Sequence, residues 1–109
     1  MIINKTKDVI ISQNELVCKS IFSQIRGLMF RKKQNLVMVF KKEREIQLHN
    51  VLVFFPLEIV VLNNDKVVVD MNKQFLPFCP GWSSYGQYVL ELGEEEAKGK
   101  IEIGDRLEF

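Results

Sequence analysis

The stretch "LHNVLVFFPLEIVVLNNDKVVVDM" (48–71) is largely apolar, yet it carries the chain's only histidine, His49, at one end and Glu58 in its middle, and both have side chains suited to acid–base chemistry. Burial in an apolar strand raises the pKa of a carboxyl group and prepares it as a general base. A continuous strand would separate these two residues by about 30 Å, so only a reversal at Pro56 would pair them. Two interpretations of Glu58 therefore stay open. It is the general base of a small enzyme, of hydrolase or isomerase type, or it is a structural group. As a structural group it is either a rim carboxylate that reaches solvent at the start of a strand or a carboxylate that pairs with Arg26 or Arg31.

Other catalytic and metal-binding classes lack the residues that they need. Cys18 and Cys79 lie far apart, and with His49 they provide three scattered soft ligands without Cys-x-x-Cys or His-x-His spacing. A second histidine that would activate Cys79 as a nucleophile is absent from the sequence. We therefore predict neither a metal site nor a cofactor.

The segment "FLPFCPGWSSYG" (75–86) holds four aromatic residues among prolines and glycines, and this composition predicts an irregular loop. Loops on a rigid β scaffold commonly hold binding sites, and aromatic rings stack on ligands; alternatively, these rings close one end of the core. The first functional interpretation is a non-catalytic binding module for an unknown small molecule or peptide. Its candidate ligand-binding residues are Arg26, Arg31, His49, Glu58, Trp82 and Tyr85.

Short β-branched runs dominate the chain and predict strands. The runs at 8–12 and 15–20 are expected to form a hairpin, and those at 57–62 and 66–71 another around "NND". The first arm of the second hairpin is apolar on both faces apart from Glu58, which predicts a central strand. "KKERE" (41–45) is expected to be a loop. The sequence thus predicts a mainly β fold, an antiparallel β-sandwich or barrel of jelly-roll-like form, with one short helix near residues 20–30.

Length and charge restrict the remaining classes. The 109 residues suit a single domain, residues 1–109, and the net charge of +1 comes without a clustered basic face, so no nucleic-acid partner is expected. The apolar run "VLVFFPLEIVVL" is too short to span a membrane, and the N-terminus does not have the pattern of a signal peptide. A cytoplasmic location and a monomer or weak homodimer are the resulting expectations.

Three motifs taken together resemble one family. They are "RGLMFR" (26–31), "LHNVLVFFPLEIVVLNNDKVVV" (48–69) and the ending "YVLELGEEEAKGKIEIGDRLEF" (88–109). They are similar in order and spacing to the prokaryotic domain-of-unknown-function family 192, also called uncharacterised protein family 0127. The resemblance implies a small β-sandwich or jelly-roll-like fold without an established activity. Glu58 stands where the family usually has an aspartate after Pro-Leu.

Overall fold

The described part of the chain is built from eight β-strands. A computed structural model describes residues 1–13, 15–18, 35–48, 57–75, 82–93 and 99–109. The prediction of a mainly β fold is confirmed, while the short helix predicted near residues 20–30 lies outside the described residues. The strands are β1 (Ile2–Asn4), β2 (Val9–Ser12), β3 (Glu15–Cys18), β4 (Asn35–Leu48), β5 (Leu57–Leu62), β6 (Val68–Phe75), β7 (Trp82–Gly93) and β8 (Leu107–Glu108).

The strands form two sheets, which pack as a sandwich. One has three strands in the order β2-β1-β8, and the other has five in the order β3-β4-β7-β5-β6. All paired strands in the described residues are antiparallel except β3 and β4, which are parallel. The core between the sheets consists of buried aliphatic residues from both, among them Ile2, Ile11, Val37, Val60, Leu62, Leu90, Leu92 and Leu107. The predicted sandwich is therefore confirmed.

Strand β5 lies inside the five-stranded sheet, between β7 and β6. Because side chains alternate along a strand, Val60 and Leu62 face the core between the sheets, whereas Ile59 and Val61 face the opposite side. All four side chains are fully buried. The prediction of a central strand covered on both faces is confirmed. We call the face of the five-stranded sheet that is turned away from the three-stranded sheet the far face.

The predicted hairpin around "NND" is formed by β5 and β6. Asn63 organises its turn by accepting hydrogen bonds at Oδ1 from the backbone N–H groups of Asp65 (2.9 Å) and Val67 (3.1 Å). Strand β6 then contains a bulge, because Leu62 pairs with Val68 whereas Val61 pairs with Asp70. The bulge leaves one extra residue, Val69, which is 41% exposed.

The hairpin predicted from residues 8–12 and 15–20 is wrong. Strand β2 pairs with β1, and β3 pairs with β4, so the chain crosses from one sheet to the other between them. At the crossing, Asn35 Nδ2 donates a hydrogen bond to Ser12 Oγ (2.9 Å). The apolar pattern predicts extended structure but not the partner of each strand. That partner depends on which side chains become buried, and Ile11 is buried while Val17 is 49% exposed.

Two segments predicted as loops are strands. The charged run at 41–45 belongs to β4, and the second half of the predicted loop at 75–86 belongs to β7. Residues 44–48 and 82–86 pair as a separate antiparallel ladder beyond a register shift between Val39 and Arg44. We call this ladder the arm. Charged side chains suit a solvent-exposed strand as well as a loop, so their polarity does not distinguish the two.

The arm bends over the far face near β5 and β6. Gly86 lies against the Val61 side chain and the backbone of Leu62, and Ser84 Oγ donates a hydrogen bond of 2.6 Å to Asp70 Oδ2. Glu43, at the register shift, accepts a hydrogen bond from the Asn64 backbone N–H (2.8 Å). These contacts hold the arm across the end of the far face.

Replacing Gly86 with alanine is expected to lower the free energy of unfolding by about 2 kcal/mol, because the new methyl group meets packed neighbours. Its Cβ would lie 2.7 Å from the carbonyl oxygen of Leu62, which is backbone and moves only with its strand, and would also meet Val61 Cγ1. Urea unfolding followed by circular dichroism measures the loss.

Gly99 provides the matched control for this substitution. It has a φ of +72°, and no atom lies within 4 Å of the position of an added Cβ. Gly99→Ala is therefore expected to lower the free energy of unfolding by only about 1 kcal/mol, because alanine is strained in the left-handed backbone conformation. A Gly86→Ala variant as stable as the wild type would show that the arm does not press on β5.

Candidate functional site

A buried carboxyl group, that of Glu91, lies near the centre of the far face. Glu91 of β7 is in register with Leu36 of β4 on one side and with Ile59 of β5 on the other, and Ile59 is in register with Asn72 of β6. Residues directly opposite one another on neighbouring strands share a face. These four side chains therefore form a row across the sheet, with the carboxyl group between two aliphatic side chains.

The surroundings of Glu91 disfavour its ionised form. The residue is 6% exposed, and burial raises the pKa of its carboxyl group from 4.5 to about 7. Within the described ranges, no hydrogen bond or ion pair to this carboxyl group is present. Near neutral pH the group can therefore either hold or release its proton.

A second row of the far face lies next to the first. It consists of Met38, Val89, Val61 and Asp70, in register across the same four strands. Asp70 Oδ2 accepts the hydrogen bond from Ser84 of the arm, and its Oδ1 accepts one from the Met71 backbone N–H (2.9 Å). The Asp70 carboxylate is thus engaged by donors from the protein.

The two rows combine an aliphatic floor with three polar side chains. Neighbouring strands are about 4.8 Å apart, so the backbone positions of Glu91 and Asn72 are separated by about 10 Å, with Ile59 between them. Asp70 is two residues from Asn72 along β6 and projects from the same face. None of the eight residues in the two rows is basic. The aliphatic side chains of the two rows are fully or almost fully buried, whereas Asp70 and Asn72 at the β6 end of the rows are partly exposed.

Of the residues predicted as ligand-binding, Glu58 is buried in β5 and is 5% exposed. It is in register with Leu92 and lies on the same face as Val60, so it points toward the core between the sheets rather than the far face. The interpretation of Glu58 as a rim carboxylate open to solvent does not fit this burial. Glu58 has an interaction partner within the protein.

The two predicted aromatic residues lie in the arm, at the other end of β7 from the residue that pairs with Glu58. Trp82 is half-buried and, by alternation, shares the arm face of Ser84 and Gly86, which is turned toward the sheet. Tyr85 is on the opposite face of the arm, is 60% exposed, and has its hydroxyl group 3.5 Å from the backbone carbonyl of Glu43. Trp82 is thus on the side of the far face, and Tyr85 is not.

The other three predicted residues, Arg26, Arg31 and His49, lie outside the described residues. Their grouping with Glu58 into one site therefore stays a prediction. Glu91 was missed because the pattern of its strand, "QYVLELG", is typical of a strand with one solvent-exposed face. Gln87 and Glu91 lie on that face with Val89 between them, so the pattern indicates an exposed Glu91. The signal that could have revealed it lies in the neighbouring strand, since a β5 that is apolar on both faces requires the far face to be covered.

Comparison with known proteins identifies the family to which this chain belongs. The profile of domain-of-unknown-function family 192 (DUF192), described as "Uncharacterized ACR", matches residues 3–109. The chain belongs to this family. The resemblance drawn from the three sequence motifs is confirmed, and DUF192 has no described activity. A comparison of this DUF192 domain with curated proteins finds no match.

Two solved structures are similar to this DUF192 domain. A candidate transcription regulator from Sinorhizobium meliloti 1021 has a TM-score of 0.85 at 20% identity, over 98% of this chain and 88% of that one. A protein of unknown function from Novosphingobium aromaticivorans DSM 12444 has a TM-score of 0.79 at 20% identity, over 87% of this chain and 74% of that one. At these identities the likeness establishes the fold alone. Within the residues that the structure describes, no helix has the length and apolar character needed to traverse a bilayer.

Proposed function

We propose that this DUF192 domain is a non-catalytic binding module whose ligand, a small molecule or peptide, binds where the far face is partly exposed, at Asp70 and Asn72 beside the arm, in the same two rows as Glu91. One observation carries the proposal: a buried carboxyl group in an aliphatic row, without a bound donor or cation among the described residues. Burying such a group is unfavourable unless something neutralises or binds it. Buried titratable groups of this kind are therefore concentrated at functional sites.

The arm supports the same proposal. It covers part of the far face through Gly86 and Ser84, and its inner face also carries Trp82. An indole ring is suited to pack on the apolar part of a ligand while its N–H donates a hydrogen bond. We therefore retain Trp82 as a ligand-binding residue, add Glu91 and Asn72, and keep Arg26, Arg31 and His49 as further candidates. We expect the module to act in the cytoplasm as a monomer or weak homodimer.

A second candidate function is an acid–base enzyme of hydrolase or isomerase type. Glu91 favours it, since a carboxyl group with a pKa of about 7 both accepts and donates protons at neutral pH. Glu91 fits the role of general base better than Glu58, which faces the core between the sheets. An enzyme would convert its ligand during incubation, whereas a binding module returns it unchanged, and mass spectrometry of the recovered ligand separates the two.

DNA is a less favoured partner, although the Sinorhizobium meliloti neighbour is described as a candidate transcription regulator. The exposed basic residues Lys41, Lys42 and Arg44 of β4 alternate with Glu43 and Glu45. Phosphate binding requires basic side chains clustered without such acids. This segment therefore does not provide an electropositive surface.

A ligand screen by thermal unfolding tests the binding proposal. We expect at least one class among sugars, nucleotides, amines, carboxylates and short peptides to stabilise the protein. A ligand present at 100 times its dissociation constant adds about 2.7 kcal/mol, which corresponds to a rise of roughly 10 °C in the melting temperature of a domain of this size.

Two variants assign the effect to the far face. Trp82→Ala is expected to reduce the stabilisation, whereas Tyr85→Ala, on the outer face of the same arm, is expected to preserve it. A stabilising ligand that is equally sensitive to both substitutions would place binding elsewhere. Lack of stabilisation by every class would contradict the proposal.

A further inference from the structure

The arm joins the rest of the five-stranded sheet through an irregular junction. The register of β4 with β7 breaks after Val39 and resumes at Arg44. Four residues of β4 (40–43) therefore stand opposite one residue of β7, Gln87. Such an insertion bends the strand and interrupts its ladder. On β7 the neighbouring residue is Gly86, and glycine absorbs changes of φ and ψ more easily than other residues. The junction thus has the features of a hinge.

The described contacts between the arm and the β5–β6 hairpin are made without a backbone ladder. Within the described ranges, β3 pairs with residues 35–38 of β4 and β5 pairs with residues 88–93 of β7, so the arm strands form a ladder only with each other. The Ser84 hydroxyl group, 2.6 Å from the Asp70 carboxylate, provides a hydrogen bond to β6. Because the ladder within the arm is separate, the arm can move without breaking it.

Apolar burial also holds the arm closed, but less of it than holds the sandwich together. Ile46, in register with Ser84 on the inner face of the arm, is 3% exposed, and Gly86 lies against Val61. The core between the sheets contains ten buried aliphatic side chains from both sheets. Opening the arm is therefore expected to cost less free energy than unfolding the sandwich, because it exposes less apolar surface.

We propose that the arm is a strap that opens as one unit while the two sheets stay folded, and that the hydrogen bond between Ser84 and Asp70 is its latch. Opening uncovers Val61 and frees the Asp70 carboxylate from its serine donor. The strap is a property of the protein without a ligand, so it does not depend on the proposed function. It adds to that function a gate at the partly exposed end of the two rows.

Native-state hydrogen exchange, followed by NMR at increasing urea concentrations below the unfolding transition, tests the strap in the wild-type protein. We expect the protected amides of the arm (44–48 and 82–86) to exchange through an opening at least about a hundredfold more frequent than that of the central strands (59–61 and 89–91). The arm opening is also expected to depend less on urea, because it exposes less surface. Equal opening constants and equal urea dependence for both sets would overturn the proposal.

A pair of serine variants tests the latch. Ser84→Ala removes a hydrogen bond to a carboxylate that exists only while the arm is closed, so it is expected to raise the opening constant of the arm about tenfold. Ser83→Ala is the matched control, because Ser83 is the preceding residue and is exposed on the outer face of the arm. It is expected to leave the opening constant unchanged. An arm that opens equally often in both variants would overturn the assignment of Ser84 as the latch.

A substitution outside the arm distinguishes its opening from unfolding of the whole domain. Asn4 is fully buried in the three-stranded sheet, and its hydrogen bond to Asp105 stays intact when only the arm opens. Asn4→Ala is therefore expected to raise the opening constants of the central strands about a hundredfold and to leave that of the arm unchanged. An equal rise in both would show that the arm opens only by global unfolding, and the strap would be wrong. The ligand screen is a separate result, since a strap that opens in a protein without a ligand leaves this inference standing.

Discussion

Replacing Glu91 with glutamine is expected to stabilise the protein by about 3 kcal/mol at pH 8 and to have little effect at pH 4. Burial raises the pKa of this carboxyl group from 4.5 to about 7. Between these two values the folded protein keeps a proton that the unfolded chain has released. The native state therefore binds more protons over this range, and stability falls as pH rises.

The magnitude follows from the size of the shift. Each pKa unit corresponds to about 1.4 kcal/mol, and the shift spans roughly two and a half units, which gives about 3 kcal/mol once pH exceeds 7. Glutamine fills the same space and does not ionise, so the variant avoids this loss. Urea unfolding of both proteins at pH 4, 6 and 8 measures the difference.

Glu108→Gln is the matched control. Glu108 is in β8, and its 63% exposed side chain forms an exposed ion pair with Lys5, so its removal is expected to change stability little at any of the three pH values. An unchanged stability of Glu91→Gln at pH 8 would mean that Glu91 is already neutralised in the folded protein. The site on the far face would then lose its main support.

Stabilisation by removal of a native group is itself evidence of function. Proteins keep strained or poorly solvated groups where activity requires them, and their replacement commonly improves stability at the expense of function. The same Glu91→Gln variant is expected to bind a ligand found in the thermal-unfolding screen more weakly. A gain of stability combined with a loss of binding would distinguish a functional carboxyl group from one that the fold merely tolerates.

The sequence predicted the parts of the fold that depend on local pattern. The run "LEIVVL" is apolar at successive positions apart from Glu58, as expected of a strand covered on both faces, and β5 is such a strand. The turn at "NND" was also evident, because an asparagine at its start accepts backbone hydrogen bonds two and four residues ahead. Both features are decided within a few residues of chain.

Features that depend on distant partners were not predictable in this way. The bulge at Val69 shifts the alternation of side chains along β6. Val68 is therefore buried in the core and Met71 packs against it, although residues three apart in a regular strand lie on opposite faces. The burial of Glu91 likewise depends on parts of the chain that are distant in sequence. Its own strand alternates as if one face were wet, and its burial depends on what covers the far face. The candidate site was missed for this reason.

Replacing Asn4 with alanine is expected to destabilise the protein by about 3 kcal/mol, since it leaves buried backbone and side-chain partners unsatisfied. Asn4 is fully buried, and its Nδ2 donates to Lys100 O and to Asp105 Oδ2, both at 2.7 Å. Its Oδ1 accepts from the backbone N–H groups of Thr6 (3.0 Å) and Lys7 (3.1 Å). An asparagine side chain can make four such bonds, and this one makes all four.

These bonds join two parts of the chain that are distant in sequence. Asn4 ends β1, and Asp105 precedes β8, which pairs with β1 in the three-stranded sheet. Burial would raise the pKa of Asp105, but hydrogen bonds from Asn4 and the Glu102 backbone, together with nearby Lys7, lower it below its ordinary value of 3.8. The ionised carboxylate therefore contributes stability that is present above pH 3.8 and is lost as pH falls toward the lower, folded-state pKa.

Two further measurements separate this network from a general effect of removing an asparagine. Asn64→Ala, at an exposed position in the turn between β5 and β6, is expected to change stability by less than about 0.5 kcal/mol. A double-mutant cycle with Asn4→Ala and Asp105→Asn is expected to give a coupling of about 1 kcal/mol or more, because the two side chains share a buried hydrogen bond. If the two losses simply add, the junction between the ends of the described chain depends on the backbone ladder of β1 and β8 rather than on Asn4.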